Sequence, residues 1–308
     1  MKRGFNVNEL QEEFGCCAAT VGNFDGLHLG HRRILARVKE KSEKTECPCV
    51  LITFEPPPAS VIHPELNVPR LTTLEKKLDL IEECGIDAVL ALEFTPEFAK
   101  KTHKDFVREV LLPLRVRELY VGHDFHFGAG RHGNVDALAQ EGKKHGFGVY
   151  EIEEVYEEGE PVRSTAIRAL LKKGDVEKAA RLLGRPYSIG GAVVRGAGRG
   201  KPIGFPTCNI EQPPEAVPGP GIYATRTKLR GKLYDSASHV GSVPTFDVEK
   251  PSIESYILDF SQDIEGQEIE IHFYKKLRDI VKFDSAESLA RQIKADVEAT
   301  REILRWTA

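Results

Sequence analysis

The pattern of apolar residues changes once along the chain, close to residue 184, and this change limits the folds that the chain can adopt. Before it, short apolar runs alternate with stretches of helical periodicity. Such alternation predicts an open α/β domain with a doubly wound parallel sheet. The predicted strands are residues 18–22, 50–54, 88–94, 118–122 and 148–155, and the predicted helices are residues 74–84, 104–112, 135–145, 164–173 and 176–183.

The second part of the chain carries Gly and Pro punctuation and short strands of alternating polarity. This pattern predicts a small antiparallel β-barrel. Its predicted strands are residues 191–195, 221–227, 236–241, 253–260 and 268–273. A C-terminal helix from about Ser285 follows, and Asp284 with Glu287 suits a capping box at its start. We therefore predict two domains, residues 1–184 and 185–308.

Composition narrows the classes of function. The 308 residues are 41% hydrophobic and 29% charged, which is ordinary for a globular protein. A net charge of −4 argues against nucleic acid as the main partner, because duplex-binding proteins more often carry a basic excess. No apolar run approaches the roughly 18 residues that span a bilayer. Residues 1–14 lack the apolar core of a secretory signal. We expect a cytoplasmic protein with no membrane partner, and the oligomeric state stays open.

None of the six cysteines belongs to a C-x-x-C pair. They are Cys16, Cys17, Cys47, Cys49, Cys84 and Cys208. This usage predicts reduced, partly buried thiols, as is normal in a cytosolic protein. A structural zinc site is not expected, because it requires paired thiols or a Cys/His set at finger spacing.

The first motif with chemical content follows the first predicted strand. Residues 21–31 read V-G-N-F-D-G-L-H-L-G-H, so a glycine-bearing turn joins that strand to a helix beginning near His31. A helix N-terminus at the carboxyl end of a parallel strand suits phosphate. Gly26 and Gly30 would let an anion approach the backbone, and His28 and His31 would face one side of the helix start. A structural turn and a metal-binding pair remain alternatives, whereas the lysine-containing phosphate loop of ATPases is absent.

The second motif lies early in the predicted barrel, where residues 200–209 read G-K-P-I-G-F-P-T-C-N. Its glycines permit a close approach of phosphate to the backbone. Thr207 and Asn209 are separated by one residue, so on an extended segment their side chains face the same way. Hydroxyl and amide oxygens are hard ligands that suit Mg²⁺ rather than zinc. A plain Gly/Pro-rich loop is the alternative.

Several motifs together resemble a known family. Residues 28–31 resemble the H-x-G-H signature of the nucleotidyltransferase superfamily, and residues 22–31 resemble the N-terminal module of bacterial bifunctional riboflavin kinase/FAD synthetases. Residues 204–209 (G-F-P-T-C-N) are similar to the G-F-P-T-x-N motif of riboflavin kinases. Further segments match that family in order, namely residues 53–56, 121–125, 127–128, 164–168, 221–224, 244–246, 254–260 and 277–278. The resemblance covers nearly the whole chain.

For the first domain, the resemblance implies an FMN adenylyltransferase (FAD synthetase) site. His28, His31 and Arg168 would be catalytic, stabilising charge on the reacting phosphate and on the departing pyrophosphate. The residues that bind nucleotide or flavin would be Gly22, Asn23, Phe24, Gly26, Gly30, Asp124, Ser164 and Thr165.

For the second domain, the resemblance implies a six-stranded riboflavin kinase barrel. Glu254 would act as the base that takes the proton of the riboflavin 5′-hydroxyl as it attacks the γ-phosphorus of ATP. Thr207 and Asn209 would hold Mg²⁺. The remaining predicted binding residues are Gly200, Lys201, Gly204, Phe205, Pro206 and Arg278.

The function that the resemblance implies is two-step synthesis of flavin cofactors. Riboflavin and ATP would give FMN and ADP, and FMN and ATP would then give FAD and pyrophosphate. Four residues depart from the family pattern, Pro57 and Arg163 in the first domain and Val243 and Glu265 in the second. Two alternatives stay open. One is an enzyme with a single active domain, in which case the riboflavin kinase is the activity expected to remain. The other is a non-catalytic flavin-binding storage or regulatory protein.

Overall fold

A parallel sheet organises the N-terminal half of the chain and a closed antiparallel barrel organises the C-terminal half. The computed structural model describes residues 1–11, 14–196, 200–211, 213–241 and 252–306. Residues 243–246, which the sequence analysis uses, lie outside the described residues. Backbone contacts divide the chain into two compact units, residues 1–163 and 164–308. The functional boundary between residues 184 and 185 stays a prediction.

The sheet of the first unit contains six strands. They are β1 (Lys2–Gly4), β2 (Cys17–Val21), β3 (Cys49–Glu55), β4 (Ala88–Glu93), β5 (Val116–Gly122) and β6 (Gly148–Ile152). All neighbours pair in parallel, in the order β1-β4-β3-β2-β5-β6. This confirms the predicted doubly wound parallel sheet and adds the edge strand β1. The direction of winding reverses between β2 and β5, and ligands bind outside the carboxyl ends of strands at such a reversal.

Helices cover both faces of this sheet. They are α1 (Asn8–Gln11), α2 (Leu29–Thr45), α3 (Pro58–Ile62), α4 (Leu74–Glu83), α5 (Pro96–Ala99), α6 (His103–Phe106) and α7 (Val135–His145), with a π-helical turn at Val107–Leu111 and 3₁₀ turns at Pro64–Leu66 and Ala129–Arg131. Alternate strand residues enter two separate cores. Ala18 packs with Leu35 and Ile81, whereas Ala19 packs with Leu111 and Leu138. Burial on both faces explains why these strands are continuous apolar runs. A short hairpin, β7 (Tyr156–Glu157) and β8 (Glu160–Pro161), follows the sheet.

The second unit consists of two helices, a barrel and a terminal helix. The helices are α8 (Ser164–Lys173) and α9 (Val176–Leu183). The strands are β9 (Tyr187–Val194), β10 (Cys208–Ile210), β11 (Gly221–Leu229), β12 (Lys232–Gly241), β13 (Ser252–Ile257) and β14 (Glu268–Arg278). They close in the order β10-β13-β12-β11-β14-β9, with antiparallel pairing throughout. The predicted six-stranded barrel is confirmed, and β10 is the strand that the sequence pattern did not mark.

Five inward-facing hydroxyl groups of the barrel bond to one another in a closed ring. The ring runs Thr225–Ser236–Thr227–Ser255–Ser238 and back to Thr225, with oxygen–oxygen distances of 2.8–3.1 Å. All five side chains are buried, and the ring gives each hydroxyl a partner. Because Ser255 faces inward, its chain neighbour Glu254 lies on the outer surface of the barrel.

The terminal helix α10 (Ala286–Arg305) packs on the barrel, where Arg226 donates to the carbonyl of Leu304 at 2.9 Å. Its N-cap is Ser285, whose hydroxyl accepts from the Ser288 amide at 3.1 Å in a capping box formed with Ser288. The predicted capping pair, Asp284 with Glu287, is therefore wrong. The extended backbone of Ser285 sets the first helical turn one residue later than the sequence pattern suggested. Among the helices of the described ranges, none is long and apolar enough to cross a membrane.

A disulfide between Cys16 and Cys47 corrects the prediction that all cysteines are reduced. Cys16 immediately precedes β2, and Cys47 lies two residues before the start of β3. Because β2 and β3 are neighbours in the sheet, the Cα atoms of the two cysteines lie only 5.4 Å apart. The sequence gives no hint of this pairing because it depends on the strand order. Cys17, Cys49, Cys84 and Cys208 form no disulfide, and burial raises the pKa of Cys17 to about 12.

We expect reduction of the Cys16–Cys47 bridge to destabilise the first unit. The bridge closes a loop of 31 residues that contains β2 and α2, and the loss of this constraint on the unfolded chain costs about 3–4 kcal/mol in the chain-entropy treatment. Thermal unfolding with and without dithiothreitol measures the effect as a lower Tm. The control is Cys16→Ser, whose Tm should not respond to the reductant. An unchanged Tm in the native protein would contradict the expectation.

Candidate active sites

The turn between β2 and α2 adopts an unusual backbone conformation. Phe24, Gly26 and Leu27 have φ angles of 49°, 82° and 38°. This left-handed region suits glycine but is uncommon for residues with a side chain. Phe24 and Leu27 are almost completely buried, and their burial holds the turn. The turn leaves the carboxyl end of β2 at the reversal of strand order, where the fold favours a ligand.

The segment before α4 anchors this turn through buried polar contacts. The carboxylate of Asp25 accepts hydrogen bonds from the amides of Leu71 at 2.9 Å and Thr72 at 3.1 Å. The amide of Gly26 donates to the hydroxyl of Thr72 at 3.2 Å. The sequence pattern does not mark Asp25 or Thr72 as part of the site, because their contacts join residues 46 or 47 positions apart.

The structure brings His28 and His31 together at the start of α2. His28 is the N-cap residue, and its Nδ1 accepts from the His31 amide at 3.3 Å. The two imidazole rings stack with centroids 3.5 Å apart, and Phe24 contacts His31 at 4.9 Å. Because Nδ1 of His28 is an acceptor, Nε2 carries the proton in the neutral ring. The arrangement places an N–H donor beside a helix N-terminus, a combination that suits phosphate.

Two glycines of the motif leave room for these rings. A Cβ atom on Gly30 would lie 3.2 Å from the imidazole of His28, and one on Gly22 would lie 3.1 Å from the ring of Phe24. Asp124 follows β5, the neighbour of β2, and its side chain is exposed. Since the carboxyl ends of parallel strands meet at one edge, Asp124 and the turn after β2 share that edge of the sheet.

Arg163, which departs from the family pattern, is engaged in an ion pair. Its Nε donates to Glu154 Oε1 at 2.5 Å, and the other carboxylate oxygen accepts from the Tyr156 hydroxyl at 2.9 Å. The largest influence on the pKa of Glu154 is the hydrogen bond from the Arg163 guanidinium, which lowers it. The added positive charge is therefore paired with a carboxylate of the protein.

The remaining residues predicted for adenylyl transfer lie in the second unit. Ser164 and Thr165 are the first residues of α8, and Arg168 follows one turn later. Their proposed contact with the departing pyrophosphate stays a prediction.

The loop before β10 is built around glycines. A 3₁₀ turn at Lys201–Ile203 ends at Gly204, which has a φ of 87°. The Phe205 amide returns to the Gly200 carbonyl at 2.9 Å, and a Cβ atom on Gly200 would collide with the Phe205 carbonyl. Lys201, Gly204 and Pro206 are exposed residues of this loop. The loop therefore offers an open, glycine-rich backbone next to β10.

The structure brings Thr207, Asn209 and Glu254 together on the outer surface of the barrel. The Thr207 hydroxyl donates to Glu254 Oε2 at 3.2 Å, and Asn209 is the direct cross-strand partner of Glu254. A Cβ atom on Gly196 would overlap the side-chain amide of Asn209, so the chain leaves space for that amide. A hydroxyl, an amide oxygen and a nearby carboxylate form a hard donor set that fits Mg²⁺.

Cys208 lies between the two candidate ligands but faces the other way. Its Sγ donates to the carbonyl of Ser255 at 3.3 Å, and burial raises the pKa of the thiol to about 11. It therefore stays protonated and does not compete for a metal. Within the described ranges, no cluster of three or more His, Cys, Asp or Glu side chains could hold a metal ion.

His239 and Arg278 extend the same outer row of the barrel. His239 on β12 pairs with Glu254 on β13, on the side opposite Asn209. On the next strand, β11, Ile222 pairs with both His239 and Arg278 and so lies between them. Burial lowers the pKa of His239, while the charge of Glu254 raises it. His239 cannot be identified from the sequence pattern, because its position next to Glu254 depends on the strand register.

Arg278 has an acidic partner in α10. Its guanidinium donates to both carboxylate oxygens of the buried Asp296, at 2.7–3.2 Å. Gln292 donates to the same carboxylate at 3.0 Å. This pair joins α10 to the barrel, and the contact of Arg278 with a phosphate stays a prediction.

Comparisons with known proteins match a different family in each half of the chain. The FAD synthetase family matches residues 10–166, and the riboflavin kinase family matches residues 183–304. The bifunctional riboflavin kinase/FMN adenylyltransferase of Escherichia coli K12 is 36% identical over 98% of this chain and 96% of its own length. The enzyme of the same description from Bacillus subtilis is 34% identical over 93% of this chain and 92% of its own.

A solved structure is similar over nearly the whole length of the chain. The crystal structure of a Streptococcus pneumoniae protein described as a macrolide-efflux protein has a TM-score of 0.86 and 29% identity, covering 97% of this chain and 98% of that one. The resemblance therefore extends to both units.

Proposed function

The chain belongs to the bifunctional riboflavin kinase/FMN adenylyltransferase family, and from this membership we propose how its residues divide the two reactions. The enzyme phosphorylates riboflavin with ATP to give FMN and then adenylylates FMN with ATP to give FAD and pyrophosphate. We assign adenylyl transfer to residues 1–184 and phosphorylation to residues 185–308. The observation that carries the proposal is that one chain contains both a histidine pair at a helix N-terminus and a threonine–glutamate pair beside Asn209.

For adenylyl transfer, we assign His28 and His31 to the reacting phosphate of ATP. The nucleophile is a phosphate oxygen of FMN that is already ionised near neutral pH, so the site needs no strong general base. Catalysis then rests on positioning and on charge stabilisation. The Nε2–H of His28 and the N-terminus of α2 supply the donors, and Arg168 balances charge on the departing pyrophosphate. The strained turn at Phe24 and Leu27 supports this role, since such strain concentrates at functional sites.

For phosphorylation, we assign Glu254 as the base that takes the proton of the riboflavin 5′-hydroxyl. Thr207 and Asn209 would hold Mg²⁺, which neutralises charge on the phosphates of ATP when bound. The hydrogen bond from Thr207 to Glu254 fixes the carboxylate next to those candidate ligands. The glycine-rich loop from Gly200 to Pro206 would receive the phosphates of ATP.

Riboflavin, FMN, FAD and ATP are substrates or products of this enzyme family. We propose a cytoplasmic location, where ATP is available to both reactions, and no nucleic acid or membrane partner. The net charge of −4 supports the absence of a nucleic-acid partner.

A single chromatographic assay tests the proposed function. Purified full-length protein is incubated with riboflavin, ATP and MgCl₂, and the three flavins are separated over time. We expect FMN to appear first and FAD to follow, and we expect chelation of Mg²⁺ with EDTA to stop both steps. FMN that accumulates without FAD would mean that only the kinase is active. Flavin that is bound but never converted would overturn the enzyme assignment.

A further inference from the structure

Lys77 is a buried cation with no assigned role in either of the two reactions. It lies on α4, next to the apolar side chains Leu78 and Ile81, and only 3% of its surface is exposed. Burial of a charged group is unfavourable unless hydrogen bonds and opposite charges compensate the loss of hydration. A lysine therefore persists at such a position only where its surroundings compensate that cost, and those surroundings show what it does.

The ammonium group of Lys77 contacts the carboxyl ends of two neighbouring strands. Its Nζ donates to the carbonyl oxygen of Asn23 at 3.1 Å and to the hydroxyl of Thr53 at 3.2 Å. The Thr53 hydroxyl itself donates to the same Asn23 carbonyl at 3.2 Å. The three groups form a triangle between α4, β3 and the residue that begins the turn after β2. Asn23 is thereby held immediately before the strained residue Phe24.

The charges around Lys77 come from three segments. Burial is the largest influence on its pKa and lowers it, while the carboxylates of Glu55 and Asp25 raise it and the guanidinium of Arg70 lowers it further. Glu55 is itself paired with Arg70 at 2.7 Å, and Asp25 accepts hydrogen bonds from the segment before α4. Two carboxylates and two hydrogen-bond acceptors thus hold the ammonium form in place.

We propose that Lys77 is a positioning residue for adenylyl transfer, fixing the turn from Asn23 to Leu27 so that His28 and the N-terminus of α2 meet the reacting phosphate of ATP. The proposal rests on the assigned function of the first domain. Lys77 acts through the Asn23 carbonyl and Thr53 and does not itself touch substrate. Removal of its ammonium would leave the Asn23 carbonyl held by the Thr53 hydroxyl alone and let the turn relax from its left-handed conformation.

The test is Lys77→Met, which keeps the length of the side chain and removes the charge and its donors. We expect kcat for FMN to FAD to fall roughly tenfold to hundredfold, because a small displacement of catalytic groups costs that much. KM for FMN should change little, and the riboflavin kinase activity of the same preparation should stay within about twofold of the native protein. Lys143→Met, the same substitution at an exposed lysine of α7, is the matched control and should leave both activities intact.

A pH profile separates positioning from a general loss of structure. The ammonium form is the one that holds the turn, so adenylyl transfer by the native protein should decline as Lys77 loses its proton. Burial lowers the pKa of Lys77, and the decline should therefore come below the ordinary range of a lysine. The decline should be absent in Lys77→Met.

The outcomes are distinct. Native kcat in folded Lys77→Met, or equal loss of both activities, would overturn the proposal. Should Lys77→Met fail to fold, Thr53→Val removes one corner of the triangle and leaves the charge. A loss confined to adenylyl transfer would then support the proposal, and unchanged kcat would overturn it. Failure of the native protein to make any FAD would instead refute the assigned function.

Discussion

Replacement of Glu254 by glutamine is expected to stop FMN formation while FAD synthesis from supplied FMN continues. Loss of a positioned general base costs about 10²- to 10⁴-fold in rate. Glutamine has nearly the same shape, and its side-chain oxygen still accepts the bond that the Thr207 hydroxyl makes to Glu254 Oε2. The contacts of residue 254 with its cross-strand partners Asn209 and His239 are thus preserved. Only the ability of this side chain to take a proton is lost.

The measurement is the initial rate of each half-reaction, with riboflavin or with FMN as the only flavin supplied. Glu268→Gln is the matched control, because Glu268 is an exposed glutamate at the start of β14. It should leave both rates unchanged. A Glu254→Gln enzyme that phosphorylates riboflavin within about threefold of the native rate would assign the base elsewhere, given the magnitude expected for general-base catalysis.

The sequence predicts the elements of this fold that have strong local patterns. Strands β2 to β5 are apolar because both faces of the sheet are covered, and their continuous runs are visible without a structure. Four strands escape this reading because each has only two or three residues, namely β1 at the edge of the sheet, β10 in the Gly/Pro-rich loop, and the hairpin strands β7 and β8. Strands this short acquire their identity from the partners they pair with, which the local sequence does not contain.

The candidate sites divide in the same way. His28 and His31 are close in sequence, as are Thr207 and Asn209, so spacing alone predicts that the side chains of each pair face the same way. Other contacts join residues far apart, such as Lys77 with Asn23, 54 positions away, and the disulfide, 31 positions apart. These contacts are determined by the order and register of the strands, which the local sequence does not show. The ion pair of Arg163 with Glu154 is another contact that the sequence does not predict. The motif shows that Arg163 is unusual for the family, but only the structure shows that Glu154 is its partner.

Replacement of His28 by asparagine is expected to stop FAD synthesis and leave riboflavin phosphorylation intact, so that FMN accumulates. The imidazole of His28 has two functions, which this variant separates. As the N-cap of α2 it accepts from the His31 amide, and asparagine is among the best N-cap residues. As a donor to phosphate it uses Nε2–H, which asparagine cannot place at the same distance from the backbone. Loss of one preorganised donor costs about 10²- to 10³-fold in kcat.

His28→Ala isolates the contribution of the cap. It should lose the same activity and, in addition, about 1 kcal/mol of stability, since alanine cannot accept the bond from the His31 amide. His145→Asn, at an exposed histidine in the last turn of α7, is the control and should be active in both steps. FAD formation at nearly the native rate by His28→Asn would show that the helix N-terminus binds the phosphate without the imidazole. In that event the role of His28 would be confined to starting α2, and His31 would be left as the catalytic histidine.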